Sequence, residues 1–263
     1  MRSRGKGEAV VLAAGKSERI APVARGIPKP LISVRGEPII ARNIRWLAAA
    51  GVRDLWVNLH FRGDLIRAAL GDGSAFGVHL RYSEEPEILG TAGAVRRVLA
   101  DLDETVLVVY GDNLLDFDLD ELRHAHAKAR ADVTIAVFDE RSPNTGIAGG
   151  RVRLDDDGHV TEFVEGDGRS AAYGADRPTI RPSDHPRPGS FVNAGVYVVR
   201  TAILEAFPEN TFLDWGRDVL PKLVAAGAPV FGYNIDGYCL GLDTPGSYER
   251  GMALIEAGSV RLR

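Results

Sequence analysis

The N-terminal half of the chain alternates between short apolar runs and segments whose apolar residues recur at helical spacing. Apolar, β-branched runs between turn residues predict buried strands, and apolar residues three or four positions apart predict helices. The predicted strands are Glu8–Ala13, Asp54–Leu59, Val78–Tyr82, Thr105–Tyr110 and Asp132–Phe138. The predicted helices are Pro38–Ala50, Arg62–Leu70, Thr91–Ala100 and Leu119–Arg130. This alternation indicates βαβ units and a mainly parallel sheet with helices on both faces.

The pattern changes in the second half of the chain. Val152–Leu154 and Val160–Val164 flank an Asp-Asp-Asp-Gly turn, which predicts a hairpin. Residues 166–190 are rich in Gly, Pro, Arg and Asp and show no periodicity, so we expect a long loop. The remaining predicted strands are Phe191–Val199, Val230–Ile235 and Tyr238–Leu242, and the remaining predicted helices are Trp215–Ala226 and Pro245–Glu256. We expect one α/β domain over residues 1–263, with a small C-terminal elaboration of β-hairpin and helix.

Composition narrows the functional classes. The 263 residues include 32 Lys and Arg against 36 Asp and Glu, a net charge of −4, and a nucleic-acid binder would normally show a basic excess. The single cysteine, Cys239, rules out an internal disulfide or a Cys-rich zinc site. No apolar run approaches the roughly 20 residues that span a bilayer, and the apolar run near the start is short for a signal peptide. We expect a cytoplasmic protein with neither a nucleic-acid nor a membrane partner.

The segment that follows the first predicted strand has the character of a phosphate-binding loop. Its sequence is Leu12-Ala13-Ala14-Gly15-Lys16-Ser17-Glu18-Arg19. Ligands of open α/β sheets bind beyond the carboxyl ends of the strands, and small residues there let backbone N–H groups approach a phosphate. Four basic residues against Glu18 give residues 16–29 a net charge of 4 − 1 = +3; they are Lys16, Arg19, Arg25 and Lys29. This local charge suits a triphosphate.

Two familiar phosphate motifs do not fit this loop. A P-loop would need glycine where Val10 stands, and a dinucleotide fingerprint would need three glycines where only Gly15 is present. A longer pattern remains, namely Leu12-Ala13-Ala14-Gly15, Arg19, Pro22, Pro28-Lys29-Pro30-Leu31, Gly36 and Pro38. This pattern resembles the signature of the sugar-1-phosphate nucleotidyltransferases, the enzymes that make NDP-sugars.

The resemblance continues along nearly the whole chain. Further matching segments are Gly90-Thr91-Ala92-Gly93, Gly111-Asp112-Asn113, Asn193-Ala194-Gly195-Val196-Tyr197, Asp218-Val219-Leu220-Pro221 and Gly237–Tyr248. The resemblance implies a Rossmann-like, GT-A-like nucleotidyltransferase fold. It divides the chain into a nucleotide-binding half, residues 1–140, and a sugar-phosphate-binding half, residues 141–263. It also allows a homo-oligomer.

The reaction that the resemblance implies joins an NTP to a sugar 1-phosphate and releases pyrophosphate, with Mg²⁺ as cofactor. Arg19 would hold the β- and γ-phosphates, because a guanidinium fork fits phosphate oxygens. Lys29 would neutralise charge at the α-phosphate during attack. Asp112 would hold Mg²⁺, a hard cation that prefers oxygen ligands. Independently of the resemblance, His124 and His126 lie two positions apart on a predicted helix and do not share a face, so we expect them to be surface or core residues and not ligands. Cys239 lies in a predicted strand, where we expect a buried packing residue rather than a nucleophile.

Binding residues follow from the same resemblance. Those implied for the nucleotide are Leu12, Ala13, Ala14, Gly15, Lys16, Glu85, Gly90, Thr91 and Gly111, and those implied for the sugar phosphate are Gly146, Glu165, Asn193 and Asp218. Many pyrimidine-preferring relatives have Gln at the position of Glu85. A carboxylate only accepts hydrogen bonds, which suits the two adjacent N–H donors of guanine. This favours GTP, with UTP and dTTP as open alternatives.

Three positions depart from the family pattern. Ser17 replaces a glycine, which would crowd the loop slightly. Gly241 stands where the family usually has a second metal-binding Asp. Asp243 follows two residues later, so it would either replace that ligand or cap the next helix.

The third departure lies in the sugar-phosphate half. Gly166 stands where the family has a sugar-phosphate-binding Lys, and an arginine of the following loop would replace it; the candidates are Arg169, Arg177, Arg181 and Arg187. Because Gly241 and Gly166 both lack the expected side chain, a catalytically weak regulator that binds nucleotide-sugar is the rival hypothesis.

Overall fold

The computed structural model of the chain describes residues 7–139, 150–164 and 190–262. Its strands are β1 (Glu8–Leu12), β2 (Ser33–Val34), β3 (Glu37–Pro38), β4 (Asp54–Leu59), β5 (His79–Glu84), β6 (Thr105–Tyr110), β7 (Asn113–Phe117), β8 (Val133–Asp139), β9 (Arg151–Leu154), β10 (Val160–Val164), β11 (Ser190–Arg200), β12 (Val230–Asn234) and β13 (Gly237–Gly241). Its helices are α1 (Ala21–Ala24), α2 (Ile39–Ala49), α3 (Gly63–Leu70), α4 (Gly90–Arg97), α5 (Leu119–Ala129), α6 (Leu220–Ala225) and α7 (Pro245–Glu256).

The main sheet is mixed. Strands β5, β4, β1 and β6 lie side by side and run parallel, which confirms the βαβ units predicted from the alternation of strand and helix patterns. Strand β11 then pairs antiparallel with β6, β8 and β9, and β12 pairs parallel with β8. The parallel strands all end at one edge of the sheet, so the loops that follow them converge there.

Apolar side chains cover both faces of the sheet. Val11 of β1 packs on one face with Ile44 and Leu47 of α2, and Val10 packs on the opposite face with Val95 of α4. Successive residues of a strand point to opposite faces, so a strand that is apolar throughout must be covered on both sides. Each fully buried Leu or Ile contributes about 1.5–3 kcal/mol relative to an exposed position. These two layers hold the strand ends in fixed positions.

The C-terminal strands join two different sheets. The hairpin of β9 and β10 forms as predicted, and it extends the main sheet through β11. Strands β12 and β13 do not pair with each other: β12 joins the main sheet, and β13 pairs with β7, a strand that the sequence pattern did not indicate. The predicted loop over residues 166–190 lies outside the described residues, except that Ser190 begins β11.

Within the described part of the chain, no helix combines the length and apolar character that crossing a bilayer requires.

Candidate active site

A pocket of about 640 Å³ opens beyond the carboxyl ends of β1, β4 and β6. This volume lies within the range of about 300–1,000 Å³ that is typical of small-molecule sites. Most of the predicted nucleotide-binding residues contribute to it. The lining includes Leu12, Ala13, Ala14, Gly15, Lys16, Arg19, Lys29, Asn58, Glu85, Gly90, Thr91, Tyr110, Asp112, Phe212, Asp214 and Asp243.

The loop after β1 is fixed by a contact that the sequence did not reveal. Ser17 adopts a left-handed conformation, with φ of 60°, and its Oγ accepts a hydrogen bond of 2.7 Å from the backbone N–H of Lys29. Rather than only crowding the loop, Ser17 therefore ties it to the segment that carries Lys29. A Cβ added at Gly15 would meet nothing within 4 Å, so the turn there faces open space. Arg25, although part of the basic run, does not line the pocket.

Lys29 lies between two carboxylates at the base of the pocket. Its Nζ is 2.9 Å from Oδ2 of Asp112 and 2.7 Å from Oδ1 of Asp243. Nη2 of Arg19 lies 3.3 Å from the same oxygen of Asp243. Burial alone would lower the pKa of the Lys29 amine, but the two carboxylates outweigh burial and raise the pKa. The ammonium is therefore held in its charged form.

Asp243 reaches this position because β13 pairs with β7, which begins next to Asp112. The alternative role of Asp243 as a helix cap is excluded. Helix α7 is capped instead by Thr244, whose Oγ1 accepts from the backbone N–H of Ser247 at 3.2 Å, and whose own N–H donates to the Ser247 Oγ at 2.9 Å. The Asp243 carboxylate is directed to Lys29 and Arg19. Cys239 of β13 is buried, and its burial raises the pKa of the thiol, as befits a packing residue.

Glu85, which also lines the pocket, forms a buried hydrogen-bonded network. Its Oε1 accepts from Nδ2 of Asn58 at 2.8 Å, and its Oε2 accepts from the backbone N–H of Leu89 at 3.0 Å. Oδ1 of Asn58 accepts in turn from the backbone N–H of Ala13 at 2.6 Å. Sequence reasoning missed Asn58, although an amide near the carboxyl end of a mostly apolar parallel strand is a usable signal.

Gly90 and Thr91 bring a distant segment to the pocket. Gly90 has a φ of +75°, and a Cβ there would lie 2.4 Å from the carbonyl oxygen of Leu213. Oγ1 of Thr91 donates to Oδ2 of Asp214 at 2.9 Å. These contacts place Asp214 and the half-exposed Phe212 in the pocket lining, and neither residue was predicted. The only sequence signal was that Asp214 precedes a predicted helix.

Three predicted site residues lie outside the pocket lining. The backbone N–H of Gly111 donates to the Leu12 carbonyl at 2.9 Å, and Oδ2 of Asp218 accepts from the backbone N–H of Asp214 at 2.8 Å. Asn193 is buried, and its amide binds the Gly195 N–H and the Tyr197 hydroxyl. Gly111 and Asp218 thus contact pocket-lining residues directly, and Asn193 is connected to the pocket-lining Tyr110 through the hydroxyl of Tyr197. Gly146, Glu165 and the four loop arginines lie outside the described residues.

The donor set suits a small divalent cation. Among the residues that the structure describes, no group of three or more His, Cys, Asp or Glu side chains converges as a metal cage. Asp112 and Asp243 instead share one positive charge, the Lys29 ammonium. Mg²⁺ is usually held by one or two carboxylates together with substrate phosphates and water. The two carboxylates therefore fit Mg²⁺ when a phosphorylated ligand supplies the other oxygens.

The chain has the features of an α/β protein that binds phosphorylated ligands. These features are parallel strands, a small-residue loop at their carboxyl ends and a buried lysine between two carboxylates. The chain belongs to the nucleotidyl transferase family, whose model matches residues 8–251.

Individual relatives agree with this assignment. The chain is 31% identical over 253 residues to a mannose-1-phosphate guanylyltransferase of Mycobacterium tuberculosis, covering 95% of this chain and 65% of the relative. It is 29% identical over 244 residues to a UTP–glucose-1-phosphate uridylyltransferase of Synechocystis, covering 87% of this chain and 58% of the relative. The chain thus spans less than two thirds of the length of either relative.

Solved structures show the same fold. HddC from Yersinia pseudotuberculosis superimposes with a TM-score of 0.73 at 22% identity, and the match covers 94% of this chain and 98% of that one. The Rossmann-like architecture expected from the sequence is therefore confirmed.

Proposed function

We propose that this chain transfers a nucleotidyl group from an NTP to a sugar 1-phosphate, forming an NDP-sugar and pyrophosphate. The observation that carries the proposal is the placement of Lys29 between Asp112 and Asp243 at the base of a pocket lined by the loop after β1. The relatives named as guanylyltransferase and uridylyltransferase support the same reaction class.

The reaction requires positioning and charge neutralisation more than covalent help from the protein. A sugar-phosphate oxygen attacks the α-phosphorus while pyrophosphate departs on the opposite side. Lys29 would neutralise the charge that grows on the α-phosphate, and its burial makes that charge more effective than it would be in water. Arg19 is exposed at the pocket, where its guanidinium can reach the β- and γ-phosphates.

Asp112 and Asp243 are the residues proposed to hold Mg²⁺, with Asp243 replacing the ligand absent at Gly241. When bound, Mg²⁺ would add positive charge next to the phosphate oxygens. Both carboxylates face the position of the Lys29 ammonium, which supports this assignment.

GTP is the proposed nucleotide. Glu85 lines the pocket, and its carboxylate can accept from the two adjacent N–H donors of guanine. UTP and dTTP are the alternative nucleotides. The similarity to a uridylyltransferase is the observation that supports UTP. The proposed sugar-phosphate contacts are Gly146 and Glu165, with an arginine of residues 166–190 replacing the lysine absent at Gly166. Asn193 and Asp218, which the resemblance also implied, are proposed to act on the sugar phosphate by supporting the site, because they lie outside the pocket lining.

The reaction is tested by measuring pyrophosphate release with each NTP against a panel of hexose and heptose 1-phosphates in the presence of Mg²⁺. We expect release with GTP and at least one sugar phosphate, and an NDP-sugar detectable by mass spectrometry. Omission of the sugar phosphate is the control. No release with any pair would contradict the proposal and favour a regulator that binds nucleotide-sugar, the alternative motivated by Gly241 and Gly166.

The loop-arginine hypothesis has its own test. Arg169, Arg177, Arg181 and Arg187 are replaced singly by Ala, and the KM for the sugar phosphate is measured. At least one variant should raise this KM while the KM for the NTP stays constant. Four unchanged values would show that none of these arginines replaces the missing lysine.

A further inference from the structure

We propose that Asn58 is a positioning residue for base selection. Its side chain donates to Glu85 and thereby requires at position 85 a carboxylate, which only accepts hydrogen bonds. This inference rests on the proposed function, because it concerns the base of the NTP. Asn58 lies in β4, both Asn58 and Glu85 are only 4% exposed, and both line the pocket. Their side chains join the loop after β1 to the segment that precedes α4.

The direction of each hydrogen bond in this network is determined by the backbone. The Ala13 N–H can only donate, so the Asn58 atom that faces it at 2.6 Å must be Oδ1. The amide nitrogen Nδ2 must then face Glu85, where it donates to Oε1 at 2.8 Å. The orientation of the Asn58 amide is therefore determined by its two hydrogen-bond partners.

The second oxygen of Glu85 faces a donor as well. The Leu89 N–H donates to Oε2 at 3.0 Å, so both carboxylate oxygens meet N–H groups of the protein. A glutamine at position 85 would turn its NH₂ group toward one of these two donors and leave a buried donor unpaired. Only a carboxylate satisfies the network as it stands.

This arrangement restricts what the base can offer. A carboxylate has about four acceptor positions, and the protein uses one on each oxygen. The remaining position on each oxygen matches a base edge with two neighbouring N–H donors, as guanine has at N1 and N2. Uracil and thymine present a single N–H between two carbonyl oxygens, which a carboxylate would repel. The Asn58–Glu85 pair thus selects a guanine-type edge.

The test exchanges the hydrogen-bond donor and the acceptor of this pair at constant net charge. In the double variant Asn58→Asp/Glu85→Gln, the aspartate can accept from the Ala13 N–H and from the new glutamine NH₂. The glutamine oxygen can still accept from the Leu89 N–H. All internal hydrogen bonds are kept, while position 85 now presents a donor to the pocket. Each single variant leaves one clash, between two donors for Glu85→Gln or between two carboxylates for Asn58→Asp.

Binding of GMP and UMP is measured by calorimetry, which requires neither turnover nor a metal, and melting temperatures are measured beside it. The wild type should bind GMP more tightly than UMP. Each single substitution should lower the Tm, and the double variant should regain it. The ratio of GMP to UMP affinity should fall about tenfold or more in the double variant, the effect expected for losing a hydrogen bond to a charged group. Glu84→Gln, at an exposed position next to the site, is the matched control and should leave the ratio unchanged.

The outcomes separate the two proposals. A wild type that prefers UMP, an unchanged affinity ratio in the double variant, or a double variant that melts below both single variants overturns the role of Asn58. In those cases pyrophosphate release can still support the nucleotidyl transfer. A wild type that binds neither nucleotide and releases no pyrophosphate overturns both proposals.

Discussion

Nζ of Lys29 lies 2.7 Å from Oδ1 of Asp243, although 214 residues separate the two in the chain. The same ammonium lies 2.9 Å from Oδ2 of Asp112. The Lys29 ammonium thus forms ion pairs with both of the carboxylates that we propose as Mg²⁺ ligands. A cation on these carboxylates and the Lys29 ammonium therefore compete for the same negative charge.

Replacement of Lys29 by Met should lower kcat and tighten binding of a divalent cation. The kcat should fall on the order of 10²–10³-fold, the effect of removing one charge-stabilising donor from a buried site. Asp112 and Asp243 would then keep only the exposed guanidinium of Arg19 as a counter-charge, so a divalent cation should bind more tightly in the absence of nucleotide. The measurements are pyrophosphate release and a Mn²⁺ titration followed by electron paramagnetic resonance.

Lys128→Met, at an exposed position of α5 outside the pocket, is the charge-matched control and should change neither quantity. An unchanged kcat in Lys29→Met would remove Lys29 from the mechanism. An unchanged Mn²⁺ affinity would show that the ammonium and the metal do not compete.

Alanine substitutions at Gly90 and Gly15 should separate stability from ligand binding. A Cβ at Gly90 would lie 2.4 Å from the Leu213 carbonyl oxygen, at a φ of +75°, so Gly90→Ala should destabilise the fold by roughly 2–5 kcal/mol. A Cβ at Gly15 meets open space, so Gly15→Ala should keep the Tm and weaken nucleotide binding by crowding the phosphate. Thermal melts and nucleotide titrations compare the two variants. Equal losses of Tm would contradict this division.

Ser17→Ala should lower the Tm more than Ser17→Gly does. Both variants lose the hydroxyl that accepts from the Lys29 N–H, a loss of about 1 kcal/mol. Alanine also keeps the strain of a left-handed backbone at φ of 60°, which glycine relieves. We expect a lower kcat/KM in both variants and a lower Tm mainly in Ser17→Ala. Full activity in both would show that this hydrogen bond does not position Lys29.

The sequence allowed the parallel half of the fold and the nucleotide loop to be predicted because their signals are local. A buried apolar strand, a small-residue turn and a run of basic residues lie within residues 8–29, and each can be recognised without knowledge of distant contacts. The pairing of β7 with β13 has no such signal, because strand partners more than 100 residues apart are chosen by tertiary packing.

The same distinction applies within the site. Arg19, Lys29 and Asp112 stand in recognisable local patterns. The position of Asp243 next to Lys29 depends on how β13 packs, so its sequence left two roles open. Phe212 and Asp214 reach the pocket only because their segment docks on Gly90 and Thr91. Residues that act through docking of this kind are found from the structure, not from the pattern.

The stability of the fold should depend on pH through His126. Burial lowers the pKa of this imidazole, whose Nδ1 lies 3.0 Å from Oγ1 of Thr134; the Asp132 charge opposes the shift and the Arg200 charge adds to it. As the pH falls through about 6.5, the unfolded chain therefore takes up the proton before the folded chain, so the free energy of unfolding decreases. The decrease ends below the pKa of the folded state.

The free energy of unfolding of His126→Gln should therefore fall less than that of the wild type between about pH 8 and pH 5, as measured by urea denaturation. Carboxylate titrations are common to both proteins, so the difference between the two curves reports on His126. His124→Gln, at an exposed position of the same helix, is the control and should follow the wild type. Parallel curves for wild type and His126→Gln would show that His126 does not couple folding to pH.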